Sequence, residues 1–215
     1  MISKNLRKRI FTSLILLFFI VLIFNSNFLF IYSLIIMSVY AIFEFLEMSK
    51  KIFSNNINWL IINLFFKLYI YFFCTISFFF YIHQYSKLIL VLLLSCCIAS
   101  DIGGFIFGKI FKGPKLTKIS PNKTIAGVIG SLIFSYVILV IFSYFLNLNL
   151  DFNTLILAII TSAACQIGDL FFSYLKRKAK IKDTGNILPG HGGIIDRVDG
   201  ILLGIPIGII TLIYL

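Results

Sequence analysis

Acidic residues are scarce in this sequence of 215 residues, which holds 8 Asp and Glu against 19 Lys and Arg. Charged residues of both signs make up only 13% of the chain, whereas hydrophobic residues make up 60% and the mean hydropathy is +1.05. A soluble domain of this length has no core large enough to bury so many apolar side chains. The composition therefore excludes a soluble globular protein and predicts an all-α polytopic membrane protein.

Cysteine is also scarce, and the chain has only four, all within apolar runs: Cys74, Cys96, Cys97 and Cys165. None of them stands at metal-ligand spacing from a histidine, and disulfides are not expected at such depths in a membrane. These patterns exclude a zinc site and a disulfide framework. We interpret the four cysteines as small apolar packing residues.

Long polar stretches are absent as well, which excludes a soluble domain and a low-complexity tail. We predict about seven membrane-spanning helices, with six to eight as the range, because several apolar runs exceed the roughly 18 residues that a span needs. The third span is long and contains Lys67, so it is either one helix or two short segments. The first begins with a basic head like a signal peptide but has no small-residue cleavage site, so we expect it to be retained. The predicted spans cover about residues 10–24, 28–46, 57–82, 87–108, 125–146, 154–175 and 198–215.

The Lys and Arg residues predict the orientation in the membrane. If the N-terminus is cytoplasmic, the inside segments hold 17 of the 19 basic residues, and the exceptions are Lys67 and Lys87. This is the positive-inside pattern, so the net charge of +11 indicates membrane topology rather than nucleic-acid binding. We expect two regions, N-terminal transmembrane helices over 1–90 and a transmembrane region over 91–215 with cytoplasmic loops 109–124 and 176–197. If the second region is catalytic, its active site lies at the cytoplasmic interface.

Three aspartates fall at the predicted cytoplasmic ends of apolar spans. On a helix, Asp169 shares a face with Ser173 and Lys176, and Asp196 shares a face with Asp199. Carboxylates that converge at one depth repel each other, and a bound cation removes that penalty. Oxygen ligands suit Mg²⁺ or Mn²⁺, with a second cation left open. The alternative is that these acids form ion pairs with nearby basic residues, namely Lys176, Arg177 and Arg197.

Two polar segments accompany these acids. In "LPGHGGI" the backbone is freed by glycines, so its amides can approach phosphate oxygens, and His191 either bonds a phosphate or is structural. The segment "DIGGFIFGKIFKGPKLTKISPNKTIAG" either holds the phosphates or base of a nucleotide or is a topology signal in contact with anionic lipid. Its candidate binding residues are Asp101, Lys109, Ser120, Lys123 and Thr124.

The stretch from Ser173 to Asp199 resembles the signature of the phosphatidate cytidylyltransferases, or CDP-diacylglycerol synthases. The signature residues here are Ser173, Leu175-Lys176-Arg177, Lys182-Asp183, Gly185, Leu188-Pro189, His191-Gly192-Gly193, Asp196-Arg197 and Asp199. The segments "DIGGFIFGK" and "ISPNKTIAG" look like further motifs of that family, with Asn122 where Lys is common and Ala126 where Glu is common. The resemblance covers about residues 95 to 205.

This resemblance implies that CTP and phosphatidate react to give CDP-diacylglycerol and diphosphate. We expect a bacterial inner membrane, because a composition rich in Phe, Ile, Lys and Asn is typical of a bacterium with an AT-rich genome. The resemblance implies catalytic roles for Asp169, Lys176, His191, Asp196 and Asp199. The same three aspartates would hold the Mg²⁺ or Mn²⁺ ion. Basic groups would balance the charge of the departing pyrophosphate. The residues expected to bind substrate are Asp101, Lys109, Ser120, Lys123, Thr124, Ser173, Arg177, Lys182 and Arg197.

Other classes of protein fit the sequence less well. "DRVDG" begins like the motif of the CDP-alcohol phosphotransferases, but "ILLGIPIGIITLIYL" follows it without any acid. A CTP-dependent polyprenol kinase is a weaker match. A transporter or channel would spread its polar groups through the membrane depth, whereas these cluster at one face. The sequence leaves open whether the chain is a non-catalytic homologue and whether it forms a homodimer. It also leaves open the acyl-chain preference and the choice between CTP and dCTP.

Overall fold

A computed structural model describes residues 22–121, 123–146, 151–185, 187 and 192–215. These residues form long α-helices, as expected for apolar segments whose backbone groups must be satisfied without water. A short helical stretch at 22–25 precedes them. The helices are α1 (Asn27–Ile52), α2 (Asn56–Ile82), α3 (Gln84–Phe111), α4 (Ile125–Phe145), α5 (Phe152–Lys178) and α6 (Ile195–Tyr214).

All six of these helices are long and apolar enough to cross a bilayer, and the protein is an integral membrane protein. They correspond to the second to seventh predicted spans. Most of the first predicted span, about 10–24, lies outside the described residues. Helix α2 continues unbroken past Lys67, so the long third span is one helix rather than two. Several helices extend beyond their apolar runs, because polar turns at a membrane surface can remain helical.

The chain divides into two compact units. The first unit comprises Met1–Ile82 and Leu175–Arg197, and the second comprises His83–Tyr174 and Val198–Leu215. The division falls within α5 and within α6, so each of these helices contributes residues to both units.

In the first unit, α1 packs against α2 through aromatic and polar contacts. The rings of Phe45 and Phe66 stack with centroids 3.8 Å apart, as do those of Phe30 and Tyr81. The buried Ser49 hydroxyl donates to Asn63 Oδ1 at 3.1 Å. A buried hydroxyl–amide bond is favourable between membrane helices, where no water competes for either group.

In the second unit, α3 and α4 approach each other at small residues. A Cβ added to Gly103 would collide with the backbone of Gly130, and one added to Gly130 would meet the side chain of Phe107. The Ser131 hydroxyl donates to the Ser100 carbonyl at 2.7 Å, so the two helices are also hydrogen-bonded. Small residues allow this closeness, which is the usual basis of helix association in lipid.

Helix α6 packs on α3 and α5 in the same manner. Gly200 lies against the thiol of Cys165, and Gly204 lies against the thiol of Cys97. Gly168 of α5 lies against the backbone carbonyl of Asp199. These contacts hold α5 and α6 together beside Asp169 and Asp199, two of the predicted site residues.

Candidate active site

A cavity of about 220 Å³, lined by charged, polar and apolar residues, lies within the second unit. It opens between α3, α4 and α5 and the loop that precedes α4. Four of the predicted site residues line it, together with Gln166, Ser100 and several small or apolar side chains. Those four are Asp101, Lys123, Thr124 and Asp169.

The loop between α3 and α4 is built to present Lys123 to this cavity. It leaves α3 with positive φ angles at Lys112 (53°) and Gly113 (70°), which turn the chain sharply. Leu116 N then donates to the Lys123 carbonyl at 2.8 Å, which ties the two sides of the loop together. The Thr124 hydroxyl accepts from Gly127 N at 3.1 Å and caps α4. These hydrogen bonds hold the described residues of the loop at the start of α4.

Within the cavity, Lys123 Nζ lies 2.8 Å from Asp169 Oδ2. The side chains are 29% and 16% exposed, so solvent screens this ion pair only in part. One ligand atom from each of Asp101, Cys165 and Asp169 also lies within 4.8 Å of the other two. The cavity thus combines the ammonium group of Lys123 with the carboxylates of Asp101 and Asp169.

Two of these three neighbouring groups fit a hard divalent cation. The carboxylates of Asp101 and Asp169 offer the oxygen ligands that Mg²⁺ prefers. The thiol of Cys165 suits softer metals, and here it points towards the Cys97 carbonyl at 3.9 Å and Asp101 Oδ1 at 4.0 Å. Asp169 also meets α6, since its Oδ1 lies against Gly200, the residue after Asp199. The structure therefore brings Asp169 to the part of α6 that carries Asp199.

The first unit contains a second polar cluster, formed around Asp196. Asp196 Oδ1 accepts from Lys176 Nζ at 2.6 Å, and the two side chains are only 5% and 13% exposed. Asp196 Oδ2 accepts from Thr184 N at 2.8 Å, from Gly193 N at 3.0 Å and from the Thr184 hydroxyl at 3.1 Å. Protein donors thus occupy both oxygens of this carboxylate. The contact with Lys176 is one of the ion pairs expected from the sequence as the alternative to metal binding.

The other sequence-predicted residues have varied surroundings. Lys109 Nζ lies 5.7 Å from the centroid of the Phe105 ring on the same helix, α3. Ser120 is half-buried, and its backbone N–H donates to the Thr117 hydroxyl at 3.3 Å. Ser173 is half-buried on α5, one turn beyond Asp169. Arg177, Lys182 and Arg197 are exposed. His191 and Asn122 lie outside the described residues.

Sequence reasoning missed Glu44, Gln166 and the place of Cys165 beside the carboxylates. Glu44 is 4% exposed and belongs to the first unit, where it accepts hydrogen bonds from the start of α6. An available signal pointed to it, because an acid inside an apolar span is costly and therefore informative. Glu44 lies within the predicted span 28–46, just as Asp101 lies within the predicted span 87–108.

Comparisons with known proteins show which family the sequence matches. Residues 51–215 match the model of a family described as the cytidylyltransferase family. A protein of Staphylococcus haemolyticus (strain JCSC1435) named phosphatidate cytidylyltransferase is 46% identical over 116 residues, which are 53% of this chain and 45% of that protein. One of the same name from Rickettsia felis (strain ATCC VR-1525 / URRWXCal2) is 41% identical over 127 residues, 55% of this chain and 56% of that one. A third, from Helicobacter pylori (strain ATCC 700392 / 26695), is 38% identical over 138 residues, 61% and 49% of the two chains. The chain spans about half the length of the curated relatives it matches.

Proposed function

Since this chain belongs to the cytidylyltransferase family, we propose that it transfers the cytidylyl group of CTP to phosphatidate, giving CDP-diacylglycerol and pyrophosphate. An oxygen of the lipid phosphate attacks the α-phosphorus of CTP. A new P–O bond forms, and the bond from the α-phosphorus to the oxygen that bridges to the β-phosphate breaks. The nucleophile is already anionic, so catalysis consists mainly of positioning and of balancing charge.

The observation that carries this proposal is the cavity of the second unit, where Lys123 and the carboxylates of Asp101 and Asp169 meet. An ammonium group held on an ordered loop can bind a polyphosphate oxygen, and the Asp169 carboxylate keeps that group in place when substrate is absent. We propose that this cavity receives the phosphates of CTP.

We propose further that Asp169 and Asp101 hold a divalent cation, Mg²⁺ or Mn²⁺, with Asp199 nearby on α6. When bound, such an ion neutralises phosphate charge and polarises the P–O bonds. The resemblance assigns Asp196 to the ion as well, but its contacts with Lys176, Thr184 and Gly193 support a role in ordering the loop before α6. Stability measured with and without Mg²⁺ separates these two roles.

The location of the chemistry is part of the same proposal. The basic residues favour a cytoplasmic N-terminus, and the bacterial relatives favour an inner membrane, with residues 91–215 carrying the reaction at the cytoplasmic face. One substrate is a lipid and the other is water-soluble, so a site at that face gives both of them access. The lysines of the loop between α3 and α4 would then meet CTP directly from the cytosol.

The test is turnover in detergent micelles containing phosphatidate, CTP and Mg²⁺, with CDP-diacylglycerol and pyrophosphate both measured. We expect product from the wild type and a loss of at least about a hundredfold in Asp169→Asn, because a ligand and the partner of Lys123 are removed together. Asp151→Asn is the matched control, since Asp151 is exposed just before the other end of α5. No product from folded wild-type protein, with several lipids and cations tried, would overturn the proposal.

A further inference from the structure

Lys67 is a basic residue inside a membrane-spanning helix, and the proposed reaction does not use it. It lies on α2, about 16 Å along the helix axis from the first residue, Asn56, at the usual rise per residue. It is also one of the two basic residues that the predicted topology leaves outside the cytoplasmic segments. A cation at such a depth is costly, so its surroundings indicate what it does.

No acid of this sequence balances the charge of Lys67. All eight Asp and Glu lie within the described residues, where the ion pairs are Lys123–Asp169 and Lys176–Asp196. The residues outside the described ranges include no Asp or Glu at all, so they supply no carboxylate side chain. A counter-charge for Lys67 therefore has to come from outside this sequence.

Lys67 lines a groove of about 300 Å³ within the first unit. Trp59, Asn63 and Lys67 follow one another at intervals of four residues on α2, so successive turns bring them to one side of the helix. Leu46 of α1 and three apolar residues of α2 complete the lining. We call this site the Lys67 groove.

Asn63 adds a polar group to the groove at a position that is only 4% exposed. Its Oδ1 accepts from the Ser49 hydroxyl at 3.1 Å, and its Nδ2 donates to the Trp59 carbonyl at 2.6 Å. A side-chain amide has two N–H bonds, and the second one has no acceptor among the described residues. A buried, unused donor beside an ammonium group favours an anion whose oxygens accept hydrogen bonds.

The surface that continues from the groove is apolar. Leu64, Leu68 and Tyr71 are exposed within the described part of the chain, on the stretch of α2 that leads deeper into the membrane. Trp59 lies near the start of α2, and tryptophan prefers the level of the lipid headgroups. A polar end near the membrane surface with an apolar continuation matches a phospholipid, whereas a free phosphate would leave the apolar part uncovered.

We propose that the Lys67 groove binds an anionic phospholipid of the surrounding membrane. The Lys67 ammonium balances the charge of the lipid phosphate, and the free N–H of Asn63 donates to one of its oxygens. The acyl chains lie along the apolar face of α2. Basic pockets beside membrane helices bind anionic headgroups in this way. The site does not depend on the proposed reaction, so the failure of either proposal leaves the other standing.

Trp59 makes the test specific, because it is the only tryptophan of the chain and it lines the groove. Bromine on an acyl chain quenches indole fluorescence only at short range. The full-length protein is placed in nanodiscs that mix phosphatidylglycerol with phosphatidylcholine, and either lipid carries the bromine. We expect brominated phosphatidylglycerol to quench more at equal mole fraction, with a preference of about fivefold. Neither probe is a substrate of the proposed reaction.

The variants separate the groove from the general basic surface. In Lys67→Met the preference should fall to about onefold, while Lys67→Arg should retain it. Lys51→Met is the matched control, since Lys51 is exposed in the last turn of α1 and does not line the groove. It should keep most of the preference. In the wild type the preference should persist in about 0.5 M NaCl, because salt screens a charge within the membrane far less than one at its surface.

Each of the other outcomes overturns the inference. Equal quenching by the two lipids means that the groove does not select negative charge. A preference that survives in Lys67→Met, that is lost equally in Lys51→Met, or that disappears in salt comes from the membrane surface and not from the groove. If neither lipid quenches Trp59, protein fills the groove, either another segment of this chain or a second copy of it.

Discussion

The buried ion pair of the first unit gives the most quantitative prediction, and Asp196→Asn is the change that tests it. Asp196 and Lys176 are 5% and 13% exposed, so water screens their interaction little. The oxygen of an asparagine can keep the backbone N–H groups of Thr184 and Gly193, but its NH₂ group then faces the Lys176 ammonium. Removing one partner of a buried pair costs about 3–5 kcal/mol, because a charge is left without compensation.

The double variant Lys176→Met/Asp196→Asn should be more stable than Asp196→Asn alone. It removes the stranded charge, so we expect most of the loss to be recovered, to within about 1–2 kcal/mol of the wild type. Asp183→Asn is the matched control, since Asp183 is exposed in the same loop. Its effect should stay within about 0.5 kcal/mol.

The assay is unfolding by SDS in mixed micelles, followed by circular dichroism, with EDTA and then with Mg²⁺. If the contacts of Asp196 are structural, Asp196→Asn loses stability in EDTA, and Mg²⁺ shifts the wild type and the variant equally. An Asp196→Asn variant as stable as the wild type in EDTA that no longer responds to Mg²⁺ would refute this reasoning. Asp196 would then be a metal ligand.

Two further predictions concern the second unit. Lys123→Met should raise the KM for CTP about tenfold but lower the Mg²⁺ concentration needed for half-maximal rate, because the Asp169 carboxylate loses a competing ammonium group 2.8 Å away. Initial rates measured over titrations of CTP and of Mg²⁺ give both quantities. A higher Mg²⁺ requirement in the variant would contradict the electrostatic argument. Gly130→Ala should destabilise the protein by about 1–3 kcal/mol, because the new Cβ would collide with Phe107. Gly108→Ala is the control and should cost less, since its Cβ would have its nearest contact at 3.1 Å. Equal midpoints of SDS unfolding for the two variants would show that α3 and α4 are not held at the Gly130 contact.

The membrane helices were predictable because hydropathy reflects a strict requirement. A segment that crosses lipid must satisfy every backbone group internally, so a long apolar run has essentially one conformation available. Helix ends were less predictable. Helix α1 continues to Ile52, beyond the predicted end near residue 46, because its last turn is amphipathic and contains Lys50 and Lys51.

The candidate site was predictable only in its local parts. Helical periodicity places Asp169 and Ser173 on one face of α5, and α5 is a single helix over that range. Periodicity carries no information about partners distant in sequence, such as Lys123 beside Asp169, 46 residues away. It could not pair Glu44 with Ile195, 151 residues away, because that contact depends on how the helices pack.

The close approach of α3 and α4 restricts how the sequence can diverge at two positions, Gly103 and Gly130. Every single-base change that alters the meaning of a glycine codon yields either a stop codon or a residue with a Cβ, and neither Gly103 nor Gly130 has space for one. Every intermediate residue at either position therefore destabilises the helix contact, and a compensating change on the facing helix is needed to restore it. The amino acids at these two positions should therefore be among the slowest in the protein to diverge, even where the lipid-facing residues around them drift freely.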